Sequence, residues 1–210
     1  AFKETREEFL AKTGLPDKPM IALLAGSRNG EISSMMPIFM EFADRLHALP
    51  EYSDYRFVVA AAPARSEADY AKYIGGREYV SVVFGQSYAV MRHAKAAVVN
   101  SGTASLECAL VGTPQVVAYK GAEINFLIAK MIIKIQYISL GNLILDRICF
   151  RELLQYYFTP DNVLYEVRRM IEDEEYRSAM LAGYQEIRDA LGGEGASAAV
   201  ARAMIEELKK

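Results

Sequence analysis

The sequence predicts an α/β fold: a Rossmann-like, doubly wound parallel sheet followed by a helical C-terminal tail. Three observations predict it. Short, nearly continuous apolar runs recur along the first two thirds of the chain, as strands buried on both faces require. Longer stretches of helical period separate them. Beyond Asp161 only helical patterns continue. Alternation of this kind builds a parallel sheet with helices on both faces.

The elements follow in order. Residues 20–25 (MIALLA) form the first run and end at Gly26. Residues 56–62 (RFVVAAA), 79–84 (YVSVVF), 96–100 (AAVVN) and 114–119 (PQVVAY) form the next four, and 136–139 (QYIS) a short sixth. Helices are expected over 34–49, 66–74, 86–93, 104–111 and 122–135. Three more are expected over 161–171, 175–191 and 196–208, the last two separated by Gly192, Gly193 and Gly195. Residues 1–160 therefore read as the Rossmann-like domain and 161–210 as the tail.

The bulk properties narrow the function. With 210 residues, 52% of them hydrophobic, the chain buries a core without disulfides or metals. A net charge of -3 supplies no basic field to recruit nucleic acid. Cys108 and Cys149 lie far apart, so two packed thiols in a reduced, cytoplasmic chain are expected. No signal peptide opens the sequence. No apolar run reaches the roughly 20 residues that cross a bilayer.

In a doubly wound sheet, ligands bind beyond the carboxyl ends of the strands, so the segments just after the runs carry the chemistry. After the first run stands Gly26-Ser27-Arg28-Asn29-Gly30-Glu31. Gly26 permits a left-handed turn, and Arg28 with nearby amides at a helix start suits a phosphate. A turn with a solvated arginine is the plainer reading. After the fourth run stands Asn100-Ser101-Gly102-Thr103-Ala104-Ser105-Leu106-Glu107. Ser101, Gly102 and Thr103 put unobstructed amides at a helix N-terminus, and Glu107 falls one turn later on the same side. A carboxylate there accepts hydrogen bonds from ribose hydroxyls; an ordinary N-cap is the alternative. At neighbouring strand ends the two segments favour a nucleotide diphosphate. The G-x-G-x-x-G fingerprint is missing, so a nicotinamide cofactor is not supported. Asn142, after Gly141, and Gln155 can each read an amide-like edge or cap a helix. His47 and His93 sit in helical patterns without a ligand partner, and no Asp-x-Asp motif is present.

Taken together, residues 23–32 (LLAGSRNGEI), 101–110 (SGTASLECAL), 114–120 (PQVVAYK), 137–147 (YISLGNLILDR) and 152–155 (ELLQ) resemble the lipid-A-disaccharide synthases. The resemblance covers most of 20–161. It implies the C-terminal, UDP-sugar-binding half of a GT-B glycosyltransferase, with the N-terminal domain absent from this chain and the catalytic base in that domain. The implied donor is UDP-2,3-diacylglucosamine, and the acceptor is the acylated 2,3-diacylglucosamine 1-phosphate at the membrane surface. The products are a β-1,6-linked disaccharide and UDP. The nucleotide sugar is a substrate, and neither cofactor nor metal is implied. By position, Ser27, Arg28, Ser101, Gly102 and Thr103 would lie near the diphosphate. Glu107 would hold the ribose, and Asn142, Arg147 and Gln155 would line the donor site. Ala25 and Gly141 stand where the family usually has proline, which loosens two loops without removing a polar contact.

Acylated substrates imply a peripheral place on the inner face of the inner membrane. On a helix over 122–136, Ile124, Leu127, Ile128, Met131, Ile132 and Ile135 make one broad apolar face. Phe126, Ala129 and Ile133 lie opposite, flanked by Lys130 and Lys134. The plainer reading is a core helix. The 196–208 helix is expected to pack on the domain, to cross to the missing half, or to pair with another chain as a homo-oligomer. Two rival readings stand beside this one: another UDP-sugar transferase or epimerase of the same fold, and a non-catalytic sugar-nucleotide-binding module.

Overall fold

The computed structural model describes residues 4–121 and 136–192. The strands are β1 Met20–Leu24, β2 Arg56–Ala61, β3 Val80–Phe84, β4 Ala96–Asn100, β5 Gln115–Tyr119 and β6 Glu152–Leu154. They form one sheet in the order β3-β2-β1-β4-β5-β6, every pairing parallel. Strand order reverses between β1 and β4, where Ile21 pairs with Ala96 and Leu24 with Val99. All five residues of β1 and of β4 are buried, as their unbroken apolar runs require.

The strand period of two sorts side chains onto two faces. Ile21, Leu23, Phe57, Val59 and Val98 face one core, and Met20, Ala22, Leu24, Val58 and Val99 face the other. The helices are α1 Arg6–Thr13, α2 Asn29–His47, α3 Ala68–Ile74, α4 Ser87–His93, α5 Thr103–Val111, α6 Leu140–Leu145, α7 Pro160–Glu172 and α8 Glu174–Ala190. The first face is covered by α2, α7 and α8 through Phe39, Phe42, Val163, Val167, Met180 and Tyr184. The second is covered by α1 and α4 through Phe9, Val90 and Met91. Residues 160–190, expected as a tail, thus share the core of the sheet. Thr159 caps α7 by accepting the Asn162 amide, and Asp173 caps α8 by accepting that of Tyr176.

Two elements differ from the sequence expectation. The sixth strand is Glu152–Leu154, not 136–139. The Glu152 carboxylate accepts the amides of Ile138 and Ser139, both at 3.0 Å. Those amides lie just before α6 and are lost to any sheet ladder. The second difference is α1, which no apolar period announces; it is fixed by a capping box between Thr5 and Glu8. The helix expected over 122–135, with Phe126 and Ile133, lies outside the described residues, as does that over 196–208. Among the described residues, no helix is long and apolar enough to cross a membrane.

Candidate functional site

The reversal between β1 and β4 opens a crevice at their carboxyl ends, the place where doubly wound sheets bind ligands. Gly26 and the Ser101–Thr103 turn stand on its two sides. Gly26 has φ +89°, and a Cβ there would collide with the Glu31 carboxylate and would lie 2.6 Å from Asn100 Nδ2. Only glycine lets these two side chains approach the turn so closely.

The Gly26–Glu31 turn closes on itself. Glu31 Oε2 accepts the backbone amides of Ser27 (2.9 Å) and Arg28 (3.0 Å), and Glu31 Oε1 accepts Arg28 Nη1 at 2.9 Å. Burial alone would raise the Glu31 carboxyl, but these amides and the guanidinium outweigh it and hold it below the usual carboxylate value. This corrects the expectation for the first segment: the Ser27 and Arg28 amides already hold an internal anion. The exposed Ser27 hydroxyl and the Arg28 side chain still face outward. Arg65, which sequence reasoning passed over, donates from Nε (2.7 Å) and Nη2 (2.5 Å) to the Ser27 carbonyl and locks the turn to the loop after β2.

The β4 side is different. The Ser101 amide donates to Ala118 O of β5 at 2.8 Å, and its hydroxyl reaches Ile138 O at 3.5 Å. Gly102 and Thr103 are exposed, and among the described residues their amides donate to no protein group. They open α5, whose position is set by Ser105 Oγ on Gly102 O (2.7 Å) and by buried Gln115 Nε2 on Ser105 O (2.7 Å). Glu107 follows one turn on, half-buried, without an ion pair among the described residues. Tyr88 faces it; burial first, and then the Glu107 carboxylate, push the tyrosine hydroxyl upward. Tyr88 also belongs to the wall of a cavity of about 310 Å³, formed by residues 85–89 with Glu4 and Lys12. Sequence reading missed this wall; the Gly85-Gln86-Ser87 turn after the third strand was the available signal.

The last three expected residues separate. Gln155 stands just past β6 with φ +49°. It is 8% exposed, and its buried Nε2 has no hydrogen-bond partner. A strained, unsatisfied amide at a strand end is a donor left without a protein partner. Asn142 is instead fully consumed by the fold. Its Nδ2 donates to Phe150 O and Glu152 Oε1 (both 2.9 Å), and its Oδ1 accepts Cys149 N (2.8 Å) and Phe150 N (3.3 Å). With all four bonds made and no exposure, it has nothing to offer a base. Arg147 pairs with Glu186 of α8 at 2.6 Å, on the approach to the N-terminal end of β6. The other candidates follow carboxyl ends. Among the described residues, no group of His, Cys, Asp and Glu side chains is placed to hold a metal.

Comparison with known proteins bears on this arrangement. The family profile described as lipid-A-disaccharide synthetase matches residues 1–204. The lipid-A-disaccharide synthase of Anaeromyxobacter dehalogenans is 34% identical over 204 residues, covering 96% of this chain and 53% of the relative. The chain therefore spans about half the length of the curated relatives it matches. Among solved structures, E. coli ADP-heptose lipopolysaccharide heptosyltransferase II superposes with a TM-score of 0.59 at 16% identity, covering 82% of this chain and 54% of that one. S. aureus MnaA, solved with UDP, superposes with a TM-score of 0.60 at 16% identity, covering 100% of this chain and 50% of that one. These likenesses show the fold, that of one half of a GT-B glycosyltransferase.

Proposed function

This chain belongs to the lipid-A-disaccharide synthetase family, and from that premise we propose that it is the UDP-sugar-binding half of an inverting transferase. The complete protein would move 2,3-diacylglucosamine from its UDP donor to 2,3-diacylglucosamine 1-phosphate, giving the β-1,6-linked disaccharide 1-phosphate and UDP. A preceding N-terminal half would supply the acceptor site and the general base. Acylated substrates would bring the complete protein to the inner face of the inner membrane as a peripheral protein.

One observation carries the reading. The unused amides of Gly102 and Thr103 open α5 at the strand-order reversal, with Glu107, which faces Tyr88, one turn further. A departing UDP develops negative charge at its diphosphate. Fixed amides at a helix N-terminus stabilise that charge without reorganising. Glu107 has the chemistry to accept both ribose hydroxyls. The unsatisfied Gln155 amide adds a donor at the next strand end but one.

Calorimetric titration with UDP tests this. Wild type is expected to bind saturably, and Glu107→Ala and Gln155→Ala to bind about ten-fold more weakly, as the loss of one or two ligand hydrogen bonds predicts. Absence of binding by wild type at millimolar UDP would count against the reading. So would affinities unchanged in both variants.

A further inference from the structure

We propose that Asn100 is a donor-binding residue whose side-chain amide takes a phosphate oxygen of a nucleoside diphosphate seated between the β1 and β4 turns. The inference rests on the nucleotide reading above and names a contact that reading does not contain.

Asn100 is the last residue of β4, directly beside the strand-order reversal. It is 7% exposed. Among the described residues its side chain neither donates nor accepts a hydrogen bond. A primary amide on a nearly buried residue, with no protein partner and at the mouth of the crevice, is a donor left over for solvent or a ligand. Here the amide is not turned into the core. Its Nδ2 lies beside Gly26, 2.6 Å from where a Cβ would stand, and the Glu31 carboxylate approaches the same point. The absence of a side chain at Gly26 is what lets the Asn100 amide and the Glu31 carboxylate come this close.

Glu31 decides which donors that ligand meets. By taking the Ser27 and Arg28 amides, it removes the β1 turn as an anion cradle and places a negative charge there. The unused donors of the crevice then lie on the β4 side and follow one another along the chain: Asn100 Nδ2 and the amides of Gly102 and Thr103. An NH2 group seeks an acceptor, and a phosphate oxygen held by the α5 N-terminus is the acceptor this geometry provides. The opposing Glu31 carboxylate confines the anion to that side.

The test uses this chain with UDP, uridine and inorganic pyrophosphate, in wild type, Asn100→Ala and Asn100→Asp. Asn100→Asp keeps the shape and adds a charge. UDP affinity is expected to fall about ten-fold in Asn100→Ala and further in Asn100→Asp, with uridine affinity unchanged in both. In the nitrogen–proton NMR spectrum, the side-chain NH2 signal that disappears in Asn100→Ala is expected to shift when pyrophosphate is added to wild type. That readout needs only one of the two variants to fold, because Asn100→Asp also lacks the NH2 group and identifies the same signal. Equal UDP affinity in all three proteins overturns the proposal, as does an equal loss for UDP and uridine, or an NH2 signal that ignores saturating pyrophosphate. Binding of pyrophosphate with that shift, but of neither UDP nor uridine, keeps the phosphate contact and defeats the nucleotide reading. A wild type that binds none of the three overturns both.

Discussion

Single side chains in this crevice are committed in opposite ways, and their substitution should separate them. Gly26 combines φ +89° with the approach of Glu31 and Asn100. Gly26→Ala is expected to cost at least about 2 kcal/mol, from left-handed strain and displacement of both neighbours. A urea denaturation midpoint equal to wild type would refute that. Asn142 is committed inward. Asn142→Ala deletes four buried hydrogen bonds and strands two amides and a carbonyl, so a loss of about 3 kcal/mol is expected. Remaining folded protein should bind UDP as wild type does. A folded Asn142→Ala protein of normal stability but impaired UDP binding would return Asn142 to the donor site. The contrast explains what the sequence could and could not say at this scale. Gly26 is readable because few residues tolerate its backbone, whereas an asparagine after a glycine looks the same whether its amide faces solvent, ligand or the chain.

Among elements, α2 depends most visibly on charge. Its N-terminus is closed by the Glu31 carboxylate, whose pKa is depressed. A depressed carboxylate contributes its stability above its ordinary value near 4.5 and loses it as pH falls through the folded value. At the other end of α2 the Arg77 guanidinium, above all, holds Asp44 below its ordinary value, and Tyr79 adds to it. Both therefore act in the same acid window. Thermal stability is expected to decline from about pH 5 to pH 3, and the decline to be shallower in Glu31→Gln. Identical pH profiles for the two proteins would show that this cap carries no linked proton. The strands were legible because five buried residues in a row leave few alternatives. The ends of α2 and α7 were less so. α1 and β6 were missed or misplaced because a capping carboxylate, not an apolar period, defines them: Glu8 for α1, and Glu152 where it draws 138–139 out of the sheet.

For the whole molecule, the C-terminal helices are part of the domain. Val163, Val167, Met170, Met180, Tyr184 and Ile187 are all 0–1% exposed in the core that Ile21 and Leu23 enter. A chain ended after Phe158 is expected to lose cooperative unfolding, measured by near-ultraviolet dichroism on heating, because the part of that sheet face under α7 and α8 would lie bare. A sharp transition in that truncation would contradict the shared core. Both cysteines are buried. Burial pushes the Cys149 thiol to about 11 and raises Cys108 beyond it by the same cause. Neither is expected to react with a thiol reagent at pH 8 until denaturant is added.

The pairing of β1 with β4 has one more consequence, in the order of events during folding. The two central strands are neighbours in space, yet Ile21 and Ala96 lie about 75 residues apart along the chain, so their union closes a long loop. The β1–β2–β3 unit and the β4–β5–β6 unit can each gather from shorter-range contacts, and the seam between them joins late. Gly26, Asn100 and the α5 N-terminus face one another only across that seam. The crevice is therefore a product of assembly: it is absent from either half alone, and a ligand that gripped both turns would slow the opening of the seam and protect the central strand amides from exchange.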